Sequence, residues 1–216
     1  MKFIKSDTPD AAAIYIAQTI STKISNDKKV LWLVPGGSAI TVAVAASQQI
    51  HGVDSNLYIS LTDERPGAVG HPESNWQQLK ETGFNYLTRE YYEVLHGQST
   101  SQDTTAFAAW LERTISNVDF RIGLFGIGSD GHTAGLLPGC VSPSGEMVAF
   151  YKREEQERIS VTPALFSQLD VAVIYAVGAE KKQMLEILAS DAPSDLPLLN
   201  LRAAHELIVY NDQVEL

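Results

Sequence analysis

The chain has 216 residues, of which 44% are hydrophobic and 19% charged, a composition typical of a folded globular domain and not of a disordered chain. Sixteen Lys and Arg against 26 Asp and Glu give a formal charge of −10, which argues against nucleic acid or an anionic membrane as a partner. The single cysteine, Cys140, excludes an intramolecular disulfide, and no apolar run approaches the ~20 residues of a membrane-spanning helix. We expect one soluble, cytoplasmic domain over residues 1–216, in which an anionic substrate would need a locally basic pocket.

The N-terminal third alternates between helical and strand-like segments. Thr8 as N-cap and Pro9 at the first helical position predict a helix that runs to about Ser25. The apolar run Lys29–Val34 then predicts a first buried strand. It leads directly into a glycine turn and an apolar helix from Ala39 to about Gln49, which makes a strand, turn and helix unit.

The glycine turn, Gly36-Gly37-Ser38, stands at the start of that helix. Free backbone amides at a helix N-terminus form a natural anion site, and the hydroxyl of Ser38 can add a donor. A tight turn with Ser38 as an ordinary N-cap is the alternative, and for these three residues alone it is the better one.

The second strand, Asn56–Thr62, ends in three charged residues, Asp63-Glu64-Arg65. Such a triplet is most often a solvated loop, but here it stands at the carboxyl end of a strand. Ser74-Asn75 follow, and then an amphipathic helix around Trp76–Glu81. These features make the triplet a candidate for binding or catalysis.

The middle of the chain gives weaker signals. Tyr91–Leu95 predicts a short strand, and Asp103–Ser116 predicts a helix with Asp103 as its N-cap. Phe107 and Trp110 are spaced for one face of that helix, which we expect to pack in the core.

The most informative stretch follows. Phe120–Ile127 is a short apolar run typical of a strand buried on both faces, and it breaks into a polar loop in which Gly126, Gly128 and Gly131 bracket Asp130 and His132. Glycines allow a positive φ and a close approach of the backbone to a ligand. Ligands of open α/β sheets lie beyond the carboxyl ends of the strands, so this loop is expected to carry the chemistry.

The C-terminal third continues the alternation. Strands are predicted at Met147–Lys152, Arg158–Thr162, Val171–Val177 and Glu206–Tyr210, and helices at residues 181–189 and 196–202. The charged cluster Arg153–Glu157 is assigned to solvent. Lys181 follows the glycine turn at Gly178, where a helix N-terminus offers an anion site, whereas Lys182 is expected to point away. A solvated lysine pair is the alternative.

Strands that alternate with helices over the whole length predict an α/β fold: a doubly wound, mostly parallel sheet with helices on both faces and right-handed crossovers, Rossmann-like in its architecture.

Residues 126–134 read Gly-Ile-Gly-Ser-Asp-Gly-His-Thr-Ala and are followed by Gly-Leu-Leu-Pro-Gly. They resemble the signature of the 6-phosphogluconolactonases, a branch of the sugar-phosphate isomerase and deaminase superfamily. The resemblance extends from the turn at Pro35 to Lys181, and it implies the same α/β fold. It also implies hydrolysis of a phosphorylated sugar lactone, without a cofactor, by a monomer or weak homo-oligomer.

The resemblance also implies roles for individual residues. Gly36, Gly37, Ser38, Asp63 and Gly131 would bind substrate, and Arg158 and Lys181 would hold its phosphate. Two departures from the family pattern stand beside these matches. Ala39-Ile40 replaces Thr-Pro after the glycine turn, which removes one hydroxyl, and Pro66-Gly67-Ala68 follows Arg65 where an aromatic residue, Val and Pro are more usual.

The chemistry of these residues suits ester hydrolysis, which needs a positioned water, a base active near neutral pH and donors for an oxyanion. Imidazole is such a base, so His132 is the candidate, with Asp130 orienting the ring or the water. Arg65 would stabilise the oxyanion or hold the phosphate; the sequence leaves both roles open. The other four histidines lack a comparable context and are interpreted as surface or loop residues.

Other functions remain as alternatives. A hexosamine-6-phosphate deaminase would carry Asn-Glu-Pro where this chain has Leu136-Leu137-Pro138, so its acidic group is missing. A sugar-phosphate-binding module without turnover would not need His132 and Asp130. A nicotinamide-binding domain would require Gly-x-Gly-x-x-Gly after the first strand, a zinc site would require more closely spaced ligands, and Cys140 lacks a partner histidine for nucleophilic catalysis.

Overall fold

The computed structural model describes residues 1–51, 54–86, 89–190 and 194–215, and these residues form two β-sheets flanked by helices. The strands are β1 (Lys2–Lys5), β2 (Val30–Val34), β3 (Asp54–Leu61), β4 (Asp63–Glu64), β5 (Arg89–Tyr91), β6 (Phe120–Phe125), β7 (Val148–Arg153), β8 (Gln156–Val161), β9 (Val171–Ala176) and β10 (Glu206–Asn211). The α-helices are α1 (Asp10–Ser25), α2 (Ile40–Gln49), α3 (Asn75–Glu81), α4 (Thr100–Ile115), α5 (Pro163–Phe166) and α6 (Lys182–Ala189). Three 3₁₀ segments cover Gly37–Ala39, Ala179–Lys181 and Pro197–Ala203.

The larger sheet has seven strands in the order β1-β10-β9-β6-β2-β3-β5, and each neighbouring pair is parallel. The prediction of a doubly wound, mostly parallel α/β sheet is therefore confirmed. Strands β2 and β9 are buried at every position, as expected for strands covered on both faces. From β2 the chain moves outward to β3 on one side, and β6 pairs with β2 on the other side. The order of strands reverses between β2 and β6, which is where open α/β sheets bind ligands.

A second, smaller sheet was not predicted. Strand β8 pairs in antiparallel fashion with β7 and with the two-residue strand β4, so Asp63 lies opposite Ser160 and Glu64 opposite Ile159. Asp63 and Glu64 are thus part of a sheet and not of a solvated loop. This pairing fixes the end of β3 against the strand that carries Arg158.

Several predicted boundaries were wrong. Helix α4 begins at Thr100 with Ser99 as its N-cap in a capping box with Gln102, and Asp103 is a buried residue inside the helix that accepts from the amide of His96. Helix α1 begins at Asp10, so Pro9 and not Thr8 occupies the N-cap position. The strand expected at 91–95 ends at Tyr91.

Candidate functional site

The candidate site is a cleft at the carboxyl edge of four adjacent strands, β9, β6, β2 and β3. The chain leaves β2 into the glycine turn, β3 into Thr62 and Asp63, and β6 into the loop with Asp130 and His132. Strand β8 adds Arg158 and the segment after β9 adds Lys181. Together they enclose a volume of about 460 Å³.

Nine of the ten residues that the sequence nominates line this cleft. They are Gly36, Gly37, Ser38, Asp63, Arg65, Asp130, His132, Arg158 and Lys181. Gly131 is the exception, because it is buried against Leu196 and its carbonyl accepts from the amide of Leu198 at 3.1 Å. Its φ of +87° shows that it shapes the loop.

The loop after β6 is held in a compact form by its own hydrogen bonds. The amide of Gly128 donates to the carbonyl of His132 at 2.8 Å, and the amide of Gly131 donates back to the carbonyl of Gly128 at 3.1 Å. The hydroxyl of Thr133 donates to the carbonyl of Gly126 at 2.9 Å. The loop therefore presents His132 from a fixed backbone.

His132 and Asp130 form a direct pair. Nδ1 of His132 lies 2.6 Å from Oδ1 of Asp130, and the same oxygen accepts from the backbone amide of His132 at 3.1 Å. An ionised carboxylate can only accept, so the neutral ring carries its proton on Nδ1 and Nε2 has the free lone pair. The side chains are 43% and 53% exposed, which gives water access to the base.

Gly128 makes this pairing possible. A β-carbon at this position would lie 2.1 Å from Nδ1 of His132 and 2.4 Å from Oδ1 of Asp130. Any side chain here would displace the imidazole, so the glycine is required by close approach.

Asp130 and Asp63 are held in opposite electrostatic environments. Partial burial alone would raise the pKa of Asp130, but the hydrogen bonds from the amide and ring of His132, with its charge, lower that pKa overall. Asp63 has a side chain only 8% exposed, and burial raises its pKa against the opposing charges of Arg65 and Arg158. Its Oδ2 lies 4.0 Å from Nε of Arg158.

Glu64 is fully buried next to Asp63 and accepts four hydrogen bonds. Oε1 accepts from the amides of Arg65 and Asn75, both at 2.7 Å, and Oε2 accepts from the hydroxyl of Ser74 at 2.8 Å and the amide of Trp76 at 3.2 Å. Burial raises the pKa of Glu64, and these hydrogen bonds oppose that rise. The carboxylate also lies at the N-terminus of α3, which favours negative charge. It ties the end of β4 to the start of that helix.

Three cations line the cleft against two carboxylates, so the site is locally basic in a chain of charge −10. Burial and the nearby charge of Arg65 lower the pKa of Arg158. The side chain of Lys181 is only 16% exposed, with Nζ at 3.8 Å from Glu180. Lys182 is 59% exposed and pairs with Glu186, in agreement with the expectation that it points away.

Gly135 explains how the loop reaches the second sheet. Its amide donates to Oγ of Ser160 at 2.9 Å, and a β-carbon here would lie 2.7 Å from Cβ of Arg158. The loop after β6 therefore packs directly on β8, which sets the distance between His132 and Arg158.

A family model described as glucosamine-6-phosphate isomerases/6-phosphogluconolactonase matches residues 5–210, nearly the whole chain. The chain belongs to this family. The match covers every element that lines the cleft, from the glycine turn after β2 to Lys181.

Named relatives are similar at modest identity. The 6-phosphogluconolactonase of Haemophilus influenzae is 25% identical over 207 residues, which cover 91% of this chain and 89% of that protein. The GDH/6PGL endoplasmic bifunctional protein of Oryctolagus cuniculus is 24% identical over 176 residues, 73% of this chain. The chain spans only 22% of the length of that protein.

Solved structures show the fold. The 6-phosphogluconolactonase of Thermotoga maritima superposes with a TM-score of 0.77 at 17% identity, covering 97% of this chain and 98% of that one. A monomeric glucosamine-6-phosphate deaminase superposes with a TM-score of 0.80 at 15% identity, covering 98% and 97%. Both branches of the family share this architecture, so the choice between their activities depends on the residues in the cleft.

Asn75 and Gln156 are among the cleft residues that the sequence did not nominate. Asn75 is fully buried, lines the cleft and donates from Nδ2 to the carbonyl of Asp63 at 2.8 Å. Its position after the Asp-Glu-Arg triplet was noted, but the spacing gave it no role. Gln156 lines the cleft from the start of β8, although residues 153–157 were assigned to solvent. Its side chain is exposed, in agreement with that assignment, but no local signal shows that the hairpin of β7 and β8 brings it to the cleft.

The described residues contain no group of three or more His, Cys, Asp or Glu side chains arranged to hold a metal ion. In the same residues, no helix has the length and apolar character to cross a membrane.

Proposed function

We propose that this protein hydrolyses 6-phospho-D-glucono-1,5-lactone to 6-phosphogluconate, the second step of the oxidative pentose phosphate pathway. The observation that carries the proposal is the 2.6 Å contact between Nδ1 of His132 and Asp130 at the edge of a basic cleft. This contact leaves Nε2 as a base facing a site suited to a phosphorylated substrate. Membership of the family, with the named lactonases among the relatives, supports the same activity.

Nε2 of His132 takes a proton from a water molecule as the water oxygen bonds to the lactone carbonyl carbon. The resulting tetrahedral oxyanion collapses, the bond from that carbon to the ring oxygen breaks, and the ring oxygen takes the proton back from Nε2. The product carboxylic acid then ionises and releases one proton. Asp130 accepts from Nδ1 throughout and stabilises the imidazolium, as a buried or partly buried carboxylate does in hydrolytic triads.

The phosphate of the substrate is assigned to Arg158, Lys181 and the turn Gly36-Gly37-Ser38. The two side chains are largely buried, so their charges are weakly screened and can bind a dianion strongly. Gly37 has a φ of +64°, and the 3₁₀ segment Gly37–Ala39 leads into α2, where the first amides have no carbonyl partner within the helix and can donate to an anion. Because Ala39-Ile40 stands where the family pattern has Thr-Pro, the hydroxyl group of this turn comes from Ser38.

Arg65 serves the oxyanion or the phosphate, and its contacts suit a fixed donor. Nη1 donates to the carbonyl of Glu73 at 2.9 Å, and the carbonyl of Arg65 lies 2.9 Å from Nε2 of His71. An Arg65→Lys variant separates the roles: a loss in kcat supports the oxyanion and a rise in KM supports the phosphate.

A hexosamine-6-phosphate deaminase is the competing function, since the family includes that branch. Leu137 argues against it, because this buried apolar side chain lines the cleft where the deaminase pattern has an acidic group. A hydrocarbon cannot exchange the protons that ring opening requires. A binding module without turnover would have no use for the Asp130 and His132 pair.

The test generates the lactone in situ from glucose 6-phosphate with a dehydrogenase and follows acid release with and without the purified protein. The expected result is release well above spontaneous hydrolysis. A parallel reaction with glucosamine 6-phosphate, monitored for ammonia, tests the deaminase. Hydrolysis no faster than the blank, with ammonia released, would overturn the proposal.

We also propose that the protein acts in the cytoplasm as a monomer or weak homo-oligomer, without a nucleic-acid or membrane partner. The acidic net charge and the single cysteine support this. Sedimentation at the assay concentration and cell fractionation are the corresponding measurements.

A further inference from the structure

The peptide group between Gly131 and His132 is held at both of its polar atoms. Its carbonyl, which belongs to Gly131, accepts from the amide of Leu198 at 3.1 Å. Its N–H, which belongs to His132, donates at 3.1 Å to Oδ1 of Asp130, the oxygen that also lies 2.6 Å from Nδ1 of the ring. Because a peptide group is planar, the two hydrogen bonds fix its orientation and the position of the Cα that carries the imidazole.

The conformational freedom of Gly131 makes this double anchoring necessary. Its φ of +87° is one that glycine adopts readily, but a glycine also lets the following peptide group rotate at little steric cost. Such a rotation would turn the amide of His132 away from Oδ1 of Asp130. At the carbonyl end, the hydrogen bond that opposes the rotation comes from outside the loop, from Leu198.

Leu196 packs against the same glycine. A β-carbon at Gly131 would lie 2.9 Å from Cδ2, 3.1 Å from Cδ1 and 3.2 Å from Cγ of Leu196, and these are the three atoms nearest to it. The isobutyl group therefore fills the space in which a side chain of residue 131 would stand.

The segment that carries Leu196 is suited to hold the loop. Leu196 directly precedes the 3₁₀ segment Pro197–Ala203, and Leu198 is fully buried near the start of that segment. The first amides of a helix have no carbonyl partner within it, so the amide of Leu198 is free to donate to the loop. Neither leucine is among the residues that line the cleft.

We infer that Leu196 is a positioning residue for the proposed base, because its contact with Gly131 keeps His132 against Asp130. Its effect on catalysis rests on the proposed lactonase function, whereas its effect on the ring does not depend on the substrate. Without the isobutyl group, space opens beside Gly131 and the peptide group before His132 can rotate. Nδ1 then leaves the carboxylate, and Nε2 loses both its fixed position and its role as the unprotonated nitrogen.

The first measurement is the steady-state kinetics of Leu196→Ala on the lactone. Misplacement of a catalytic group by about 1 Å can cost on the order of 10² in rate, so kcat should fall about 10- to 100-fold. KM should change little, because the residues assigned to the phosphate are not altered. Leu196→Val is the milder truncation if the alanine protein does not fold.

The second measurement follows the ring of His132 by ¹⁵N NMR at about pH 8, where imidazole is mostly neutral. The chain has five histidines, and the signals that disappear in His132→Gln belong to this one. The parent should show a proton on Nδ1 and none on Nε2. In Leu196→Ala the signals should shift toward a mixture of the two tautomers. This readout needs no turnover, so it tests the inference even if the parent does not hydrolyse the lactone.

Two further variants separate positioning from a general loss of packing. Leu199→Ala removes the same side chain from a partly buried position of the same segment, and it should keep the parental kcat and ring signals. Leu196→Met restores most of the lost volume and should recover most of the parental kcat. Parental ring signals in a folded Leu196→Ala protein would contradict the inference, whatever its kcat. Equal losses of kcat in Leu196→Ala and Leu199→Ala would contradict it as well.

Discussion

Two aspartates of the same cleft illustrate two uses of a carboxylate. Asp130 is 53% exposed, lies 2.6 Å from the ring of His132, and has a lowered pKa because hydrogen bonds from His132 outweigh its partial burial. Asp63 is 8% exposed, lies in β4 with its Oδ2 at 4.0 Å from Nε of Arg158, and has a pKa raised by burial. The first belongs to an accessible carboxylate–imidazole pair, and the second lies in a buried wall of the cleft.

The difference follows from the supporting structure. His132 and Asp130 lie on a single loop that glycines make compact, so their pairing is local and water can reach them. Asp63 and Arg158 lie on strands of the second sheet, so their contact depends on the long-range pairing of β4 and β8, and both side chains are less exposed. Proton transfer needs the first arrangement, and binding of a phosphorylated sugar needs the second.

The largest expected effect is that of His132→Gln. Because the variant loses the base and keeps the loop, kcat should fall by about 10²–10⁴-fold with KM little changed. Steady-state kinetics on a folded variant is the measurement, and His205→Gln is the control, since His205 is exposed and outside the cleft lining. Near-parental kcat would leave electrostatic stabilisation by Arg65 as the main source of catalysis.

Gly128→Ala should have the next largest effect. The new methyl would push the imidazole away from Asp130, and misplacement of a catalytic group by about 1 Å can cost on the order of 10² in kcat. Gly126→Ala is the matched control, because its methyl would come no closer to protein than 3.9 Å, to Cβ of Ala39. A parental kcat in a folded Gly128→Ala protein would show that the position of the ring does not matter.

Lys181→Ala should act on binding. Removal of a largely buried cation from the phosphate site should raise KM about 10- to 100-fold and change kcat much less. Lys182→Ala controls for loss of a lysine, since Lys182 is 59% exposed. If both variants keep the parental KM, Lys181 does not bind the phosphate of the substrate.

The two aspartates should also affect stability with opposite dependence on pH. The raised pKa of Asp63 means that the folded state holds its proton more tightly, so its ionisation costs stability as pH rises above about 3.9, the pKa of an unfolded aspartate. The lowered pKa of Asp130 contributes stability above about 3.9 that is lost as pH falls through the folded value.

Urea unfolding of Asp63→Asn and Asp130→Asn between about pH 3 and 7 measures this. Relative to the parent, Asp63→Asn should gain unfolding free energy as pH rises and Asp130→Asn should lose it. If the unfolding free energy of both variants, relative to the parent, changed in the same direction with pH, the two aspartates would not lie in opposite electrostatic environments.

The smallest effect is expected from chelation. The reaction is proposed to use a base and cationic side chains, so EDTA should leave the rate unchanged. Loss of activity that one divalent ion restores would require a metal in the mechanism.

Much of the fold follows from local sequence. Strands β2, β6 and β9 are apolar at nearly every position and end in glycine turns, so both the parallel sheet and the edge that carries the cleft were predictable. The second sheet was not, because β4 and β8 are far apart in the chain and their pairing leaves no periodic signal. Asn75 and Gln156 were missed as cleft residues for the same reason. Strand β1 was missed because only two of its residues, Phe3 and Ile4, are apolar.

The central claim is that a neutral imidazole activates the water, and the pH dependence of kcat/KM in the parent and in His132→Gln tests it most directly. Over about pH 5 to 8, where histidine changes charge, the parental value should rise and then level off, after subtraction of spontaneous hydrolysis. Asp130, with its lowered pKa, stays ionised over that range. In His132→Gln the residual kcat/KM should not fall in this way toward low pH. The same fall of kcat/KM toward low pH in both proteins would contradict the claim and assign the titration to another group. The first candidate would be Asp63, because burial raises its pKa.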